Sequence, residues 1–200
     1  RHDLAAVVGA SGRRGGEAEA RARRELAGYY AHITATDRAI GRLLAGPVVS
    51  PPEGRPPIVV FTSVHGDMHG AHGYFRKGWP YEESIRVPLL VRGADAGPRR
   101  DSEPASLLDL RRWTAAWADG TPVVEKSRVA AISMPSVVAL PDQCDRTWRG
   151  VRSSTRKLVL QADGTPWLFF NLESDPFELN NRAADPDFRA ELKSWRALLD

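Results

Sequence analysis

Residues 61–77, FTSVHGDMHGAHGYFRK, bring together three histidines, an aspartate and a lysine. His65, His69 and His72 stand four and three positions apart, which on a helix would place the imidazoles on one face and suit zinc. The glycines between them interrupt such a helix and are typical of a loop whose backbone approaches a ligand. Lys77 adds a mobile cation that could neutralise an oxyanion. From these residues alone, the segment is either a site for a divalent cation, an oxyanion or both, or a polar solvated loop.

The elements around this segment predict where it lies in the fold. An apolar, β-branched run at residues 58–62 directly precedes it and predicts a strand buried on both faces. A helix is predicted over residues 17–44, because apolar side chains recur there every three to four positions. A helix, a loop and a buried strand favour α/β architecture with a parallel sheet. Ligands of such sheets bind beyond the carboxyl ends of the strands, where residues 61–77 follow.

The second half of the chain changes character. A further buried strand is predicted at residues 87–91 and a helix at residues 106–118. Beyond residue 125, short apolar runs separated by turns favour an antiparallel sheet with strands at 129–133, 136–140, 156–161 and 167–172. A closing helix over residues 186–199 carries an apolar stripe suited to covering that sheet: Phe188, Leu192, Trp195 and Leu199. We therefore divide the chain into a flexible segment (1–25), an α/β domain (26–125) and a small α+β subdomain (126–200).

Composition and charge exclude several function classes. The net charge of +3 comes from 28 basic and 25 acidic side chains that are scattered along the chain, so we expect no nucleic-acid partner. No apolar stretch approaches the roughly 20 residues that span a bilayer, so we expect a soluble protein without a membrane partner. Cys144 is the single cysteine, which fits a reducing compartment, and we expect a cytoplasmic location. Because the sequence opens at Arg1 without a signal peptide, we also expect it to be part of a longer chain.

Several segments, in order, resemble the sulfatases, formylglycine-dependent sulfuric ester hydrolases of the alkaline phosphatase superfamily. IVVFTSVHGDMHGAHGYFRK resembles the metal-loop signature of that family, which has an apolar strand, Thr-Ser-Asp-His-Gly-Asp, a second His-Gly and a lysine. The other matching segments are YYAHITATDRAIGRLL before it, then EESIRVPLLVRG, PASLLDL, WRGVRSSTRKLVL and FFNLESDPFELNN after it. Shared order over residues 29–182 makes the set more specific than any one motif. The resemblance implies the C-terminal part of an alkaline-phosphatase-like parallel-sheet domain, followed by a small antiparallel α+β subdomain.

The resemblance also implies a mechanism and a set of roles. In the family, a hydrated formylglycine attacks sulfur, and calcium or another divalent ion stabilises the charge at the reacting centre. His65 matches the last metal ligand of the family, and Lys77 matches the lysine that contacts the sulfate ester. Asp67 and His72 lie close by and are expected to support the ligands without binding the metal themselves. The implied substrate of the complete enzyme is a sulfate ester or a sulfated sugar.

Two departures from the family pattern limit what this chain can do. Val64 occupies the position of an aspartate ligand and offers no oxygen to a hard cation such as calcium. The nucleophile motif, Cys or Ser-x-Pro-x-Arg, and the early Asp-Asp metal pair of the family are also absent, and neither Ser136 nor Cys144 reproduces that motif. We therefore expect a C-terminal sulfatase half that supplies one metal ligand and one sulfate-binding lysine and is inactive alone.

Two other hypotheses about function fit the same residues. A degenerate protein that binds anions without catalysis would also explain Val64. A phosphodiesterase or phosphonate monoester hydrolase of the same superfamily would share the loop and the lysine. If the chain is half of a larger core, it should expose apolar surface and could associate through it.

Overall fold

The structure, a computed structural model, describes residues 17–46, 57–93, 98, 100–121, 123, 128–137, 140 and 143–199. The chain forms two compact units, which are described separately below. The first contains residues up to Lys77 together with Arg86–Gly97, and the second contains Gly78–Ile85 together with Pro98–Asp200. Within the described residues, no helix combines the length and the apolar character that a membrane span requires.

The first unit begins with a long helix, α1, which runs from Glu17 to Leu44 as its periodicity predicts. Within it, the Arg23 guanidinium pairs with Glu19 one turn earlier at 2.8 Å. The predicted apolar stripe is largely uncovered, since the Tyr30 side chain is 50% exposed and that of Ile33 is 48% exposed. Residues 17–25 lie in this helix, although the predicted domain division assigns them to a flexible segment. Residues 1–16 lie outside the described part.

Two short strands complete the first unit. β1 (Val59–Thr62) and β2 (Leu89–Arg92) pair antiparallel, with Val59 opposite Arg92 and Thr62 opposite Leu89. Both strands were predicted, but β1 is not covered on both faces as expected, since Phe61 is 39% exposed. A two-stranded ribbon has too few neighbours to bury its faces, and an antiparallel pair can belong to an otherwise parallel sheet. The apolar surface expected of an incomplete core is therefore present on this ribbon.

The second unit is built on a four-stranded antiparallel sheet, as the spacing of the short runs predicts. Its order is β3-β4-β5-β6. The strands are β3 (Val129–Met134), β4 (Trp148–Ser153), β5 (Arg156–Gln161) and β6 (Pro166–Asn171). The strand predicted at residues 136–140 is wrong, because its described residues are not in a strand.

Strand β4 was not predicted, because its arginines, glycine and serine interrupt the apolar pattern that marks a strand. Gly150 is nevertheless required inside the sheet, since a Cβ atom there would lie 2.3 Å from the Leu158 carbonyl oxygen on β5. Glycine in a strand interior often marks such a close backbone approach. The strand conformation of β4 therefore depends on its close packing against β5 rather than on its own composition.

Both faces of this sheet are covered. The predicted closing helix is present as a 3-10 turn (Pro186–Phe188) followed by α4 (Arg189–Arg196). Its stripe packs on one face as expected, against Val151, Leu158, Leu160 and Phe169. The other face packs against Trp79, Tyr81 and Ile85, which belong to a segment remote in sequence that includes the short helix α2 (Glu82–Ile85).

The remaining helix of the second unit, α3, spans Leu110–Ala118 and follows a 3-10 turn at Leu107–Asp109. The Ser106 hydroxyl caps this turn by accepting the Leu108 N–H at 3.3 Å. The helix predicted at residues 106–118 is thus confirmed. The compact units differ in their bounds from the predicted domains, whose division remains a prediction.

Candidate metal and anion site

The loop after β1 folds back on itself through its own backbone. The Met68 N–H donates to the Arg76 carbonyl and the Gly70 N–H donates to the Tyr74 carbonyl, both at 2.8 Å. Met68 anchors the loop, because its side chain is only 1% exposed. The segment is therefore an ordered loop and not a helix, which removes the helical face on which three histidines could bind zinc.

Left-handed backbone is concentrated in this loop. His69 has a φ of 46°, His72 of 53° and Arg76 of 60°, while Gly70 and Gly73 take up the same region at no steric cost. Positive φ is uncommon for residues with a side chain, and such strain tends to collect at functional sites. The loop conformation thus supports a functional role for these residues.

The position of the His65 ring leaves its Nε2 atom available as a ligand atom. Its Nδ1 lies 2.7 Å from the Gly66 carbonyl oxygen. Since a carbonyl only accepts, Nδ1 is the protonated nitrogen and the Nε2 of the neutral ring carries a free lone pair. A backbone carbonyl on the distal nitrogen is a usual way of orienting a metal-binding histidine. The Ser63 hydroxyl supports the turn by donating to the His65 carbonyl at 2.8 Å.

Val64 occupies an open position at the end of β1. Its side chain is 85% exposed, so no packing contact explains a valine there. It provides no donor atom, and calcium requires several oxygen ligands. The Val64 side chain therefore adds no ligand for a calcium ion beside His65.

Asp67 is committed to the loop itself. Its Oδ1 accepts the His69 N–H at 2.9 Å and lies 3.5 Å from His69 Nδ1. The ring of Tyr29, from α1, meets the His69 ring edge-on with centroids 4.2 Å apart. The contact of Tyr29 with His69 was not predicted from the sequence, where the spacing of His69 had suggested only a zinc ligand. The Asp67 carboxylate is thus a structural element of the turn in this conformation.

Lys77 and His72 occupy the second half of the loop. Lys77 is half-buried, and within the part of the chain that the structure describes its ammonium has no hydrogen-bond or ion-pair partner. A cation with no internal partner is suited to an external anion. His72 is half-buried in the 3-10 turn Ala71–Gly73. The roles of both residues, and of His65, remain predictions.

Cys144 does not have the environment of a nucleophile. Its side chain is 1% exposed, and burial raises the pKa of its thiol. Reactive cysteines instead have a lowered pKa and an accessible sulfur. This agrees with the expectation that Cys144 does not replace the missing nucleophile motif.

Comparison with known sequences points to one family. The sequence model of the sulfatase family matches residues 5–120. An arylsulfatase from Clostridium perfringens is 29% identical over 196 residues, covering 88% of this chain and 40% of that protein. An ulvan-active sulfatase from Formosa agariphila is 29% identical, covering 85% of this chain and 37% of that protein. The chain therefore spans about 40% of the length of the first of these relatives.

Solved structures agree on the fold. A protein in complex with its substrate D-glucosamine-2-N,6-O-disulfate superposes with a TM-score of 0.67 at 22% identity and covers 99% of this chain and 44% of its own. A 2-O GAG sulfatase has the same TM-score at 22% identity, covering 93% and 44%. Phosphonate monoester hydrolase from Agrobacterium radiobacter superposes at 0.63 and 21% identity, covering 86% and 39%. These likenesses confirm the predicted fold class.

Proposed function

This chain belongs to the sulfatase family, and we propose that it is the C-terminal part of a sulfuric ester hydrolase. The match of the family model carries the proposal, because it extends through residue 120 and so includes the complete loop at residues 61–77. The loop supports it with an oriented His65 and with Lys77, whose ammonium is unpaired among the described residues. The substrate we propose is a sulfate ester, with sulfated sugars as the favoured class, since one structural neighbour was solved with D-glucosamine-2-N,6-O-disulfate.

In this proposal, His65 supplies one metal ligand through Nε2. Lys77 contacts the sulfate group, because a flexible ammonium can follow an anion without a fixed geometry. Asp67 and His72 support the loop without contacting the substrate. Asp67 holds the turn by accepting the His69 N–H, and His72 is one of the residues with left-handed backbone. A divalent ion bound at this site would stabilise negative charge on the ester oxygens.

The remaining ligands and the nucleophile must come from outside this chain. We therefore propose that the chain alone is inactive and binds calcium weakly. The exposed faces of β1 and β2, where Leu90 is 63% exposed, support an incomplete core that further sequence would cover. The proposed location remains the cytoplasm.

A second candidate is hydrolysis of phosphonate or phosphate esters. It is favoured by the structural likeness to phosphonate monoester hydrolase. A third, non-catalytic candidate is favoured by Val64: the loop would keep Lys77 as an anion-binding group after metal binding was lost.

Calcium titration of this chain by calorimetry tests the metal half of the proposal. We expect weak binding by the unchanged protein. Val64→Asp should tighten it by roughly tenfold or more, since affinity rises with the number of anionic oxygen ligands. Val137→Asp is the matched control, because Val137 is also exposed but lies in the second unit. Tight stoichiometric binding by the unchanged chain that disappears in His65→Ala would contradict the proposal.

Turnover by the full-length gene product separates the three candidates. We expect hydrolysis of an aryl sulfate that exceeds hydrolysis of an aryl phosphonate, with activity lost in Lys77→Met and kept in the exposed control Lys193→Met. Preference for the phosphonate would select the second candidate. Absence of turnover by both the unchanged protein and Val64→Asp, with retained sulfate binding, would select the third.

A further inference from the structure

A cluster of four charged side chains is enclosed in the second unit. Lys157 of β5 is completely buried, and its ammonium contacts Glu178 Oε1 and lies 3.8 Å from Glu82 Oε1. Arg152 of β4 donates to both carboxylate oxygens of Glu82, at 3.3 and 2.9 Å. The cluster thus joins two strands, the turn after β6 and the first residue of α2.

The turn that carries Glu178 is built to direct this carboxylate inward. Glu178 is 3% exposed and has a left-handed φ of 57°, whereas Phe177 and Leu179 on either side are 55% and 63% exposed. Asp175 fixes the turn by accepting the Leu179 N–H at 3.0 Å. A turn that exposes two large apolar side chains and buries a charged one in a strained conformation depends on a specific partner for that charge.

Glu82 contacts the other charged residues through both its backbone and its side chain. Its backbone N–H donates to Glu178 Oε2 at 2.9 Å, while its carboxylate faces Lys157 and Arg152. Glu83 also contributes negative potential at Lys157, and the rings of Tyr81 and Phe170 lie 5.9 and 5.8 Å from the ammonium. The short helix α2 is therefore held by charge at its first residue.

Burying these charges costs free energy, because they lose their contacts with water. Burial lowers the pKa of Lys157 and raises that of Glu178 to about 7, even though each attracts the other. Buried ion pairs often contribute little net stability, since desolvation offsets their attraction, and their best-attested use is to specify one arrangement. We therefore expect the cluster to specify how these segments pack together rather than to raise the overall stability of the second unit.

The segment that the cluster holds is the one directly after the loop. Gly78 follows Lys77 in the chain, and its carbonyl accepts the Trp148 indole N–H at 2.8 Å. A Cβ atom at Gly78 would lie 3.1 Å from a methyl carbon of Met134, so this backbone passes close to the sheet. Residues 78–85 are therefore attached to the sheet by a hydrogen bond and apolar packing at their start and by the charge cluster at α2.

We propose that Lys157, Glu178, Glu82 and Arg152 form an ion-pair latch that holds residues 78–85 on the four-stranded sheet. The held segment begins at Gly78, the residue after Lys77 in the chain. The latch does not depend on the proposed function. It predicts a local effect: breaking it should free residues 78–85 while β5 and β6 stay folded.

Hydrogen–deuterium exchange of this chain at about pH 8, where Glu178 is ionised, measures that local effect. In Glu82→Gln, we expect amide protection in residues 80–85 to fall by about tenfold or more relative to the peptide covering β5 and β6, since local opening energies differ between segments. Glu173→Gln is the matched control, because Glu173 is 66% exposed and its ion pair with Arg156, at 3.4 Å, lies outside the latch. Equal protection of residues 80–85 in both variants would overturn the latch.

A second variant keeps the test decisive if a buried charge left alone unfolds the sheet. Lys157→Met with Glu178→Gln removes both charges at nearly constant volume, a change that buried pairs often tolerate. The latch predicts a folded sheet with residues 80–85 selectively deprotected. A uniform loss of protection across the second unit, or no loss in either region, would instead make the cluster a general stabiliser and overturn the proposal. Neither result depends on calcium or ester turnover, which test the proposed function separately.

Discussion

The raised pKa of Glu178 makes the stability of the second unit depend on pH. Its carboxyl group titrates near 4.5 in an unfolded chain and at about 7 in the folded protein, because burial outweighs the attraction of Lys157. Between these values the folded protein holds a proton that the unfolded chain releases. The stabilisation is complete below about pH 4.5 and is lost as the pH rises through 7, so the free energy of unfolding falls over this range.

The size of the effect follows from the same two values. One pKa unit corresponds to about 1.4 kcal/mol. Moving Glu178 from 4.5 to about 7 therefore makes roughly 3 kcal/mol of the free energy of unfolding dependent on pH. This is a large share of the 5–15 kcal/mol that typically stabilises a domain. The lowered pKa of Lys157 acts in the opposite direction, since stability rises with pH where the folded protein has lost that proton and the unfolded chain still holds it.

Urea denaturation followed by tryptophan fluorescence measures this dependence. Trp148 is buried in the sheet and reports on the second unit. We expect the free energy of unfolding to decrease steadily between pH 5 and pH 7.5 in the unchanged protein and in the control Glu173→Gln. In Glu178→Gln the decrease should be smaller by about 2 to 3 kcal/mol, because no group titrates there. A slope that is the same with and without Glu178 would refute this reasoning.

Three substitutions in the second unit should lower its stability in the same assay. Gly150→Ala should cost about 1–3 kcal/mol or more, since its Cβ would lie 2.3 Å from the Leu158 carbonyl oxygen, and an unchanged urea midpoint would contradict this. Ser106→Ala should cost about 1 kcal/mol through loss of the cap on the Leu108 N–H, with Ser106→Thr as the conservative control. Asp175→Ala should cost roughly 3 kcal/mol, because its carboxylate accepts two backbone N–H groups at 3.0 and 2.7 Å, whereas Asp175→Asn keeps an acceptor and should cost less.

Long periodic elements could be predicted from the sequence. The helix Glu17–Leu44 has the predicted bounds because its pattern repeats over many turns, and the strand Arg156–Gln161 has them because its centre is a continuous apolar run. The stripe from Phe188 to Leu199 likewise predicted the helix that covers one face of the sheet. Other elements were predicted less well: residues 136, 137 and 140, the described part of one expected strand, are not in a strand, and the strand Trp148–Ser153 was missed.

The candidate site divides in the same way. The residue types of His65, Val64 and Lys77 could be read directly, and the lack of a side-chain oxygen at position 64 is a property of valine in any fold. The Nδ1 hydrogen bond of His65 and the attachment of Asp67 to the His69 N–H could not be predicted, because they depend on the left-handed backbone of the loop. The roles proposed for these residues still await the titration and turnover assays.

The sequence by itself determined the family, the order of the elements and the chemical types available in the loop, because these depend only on local pattern and residue identity. Tertiary structure alone decided that β1 pairs antiparallel with β2, that Gly150 belongs inside a sheet, and that Lys157 meets carboxylates 21 and 75 positions away at Glu178 and Glu82. Such contacts join residues distant in the chain, and their energy comes from burial and charge pairing that no local pattern encodes.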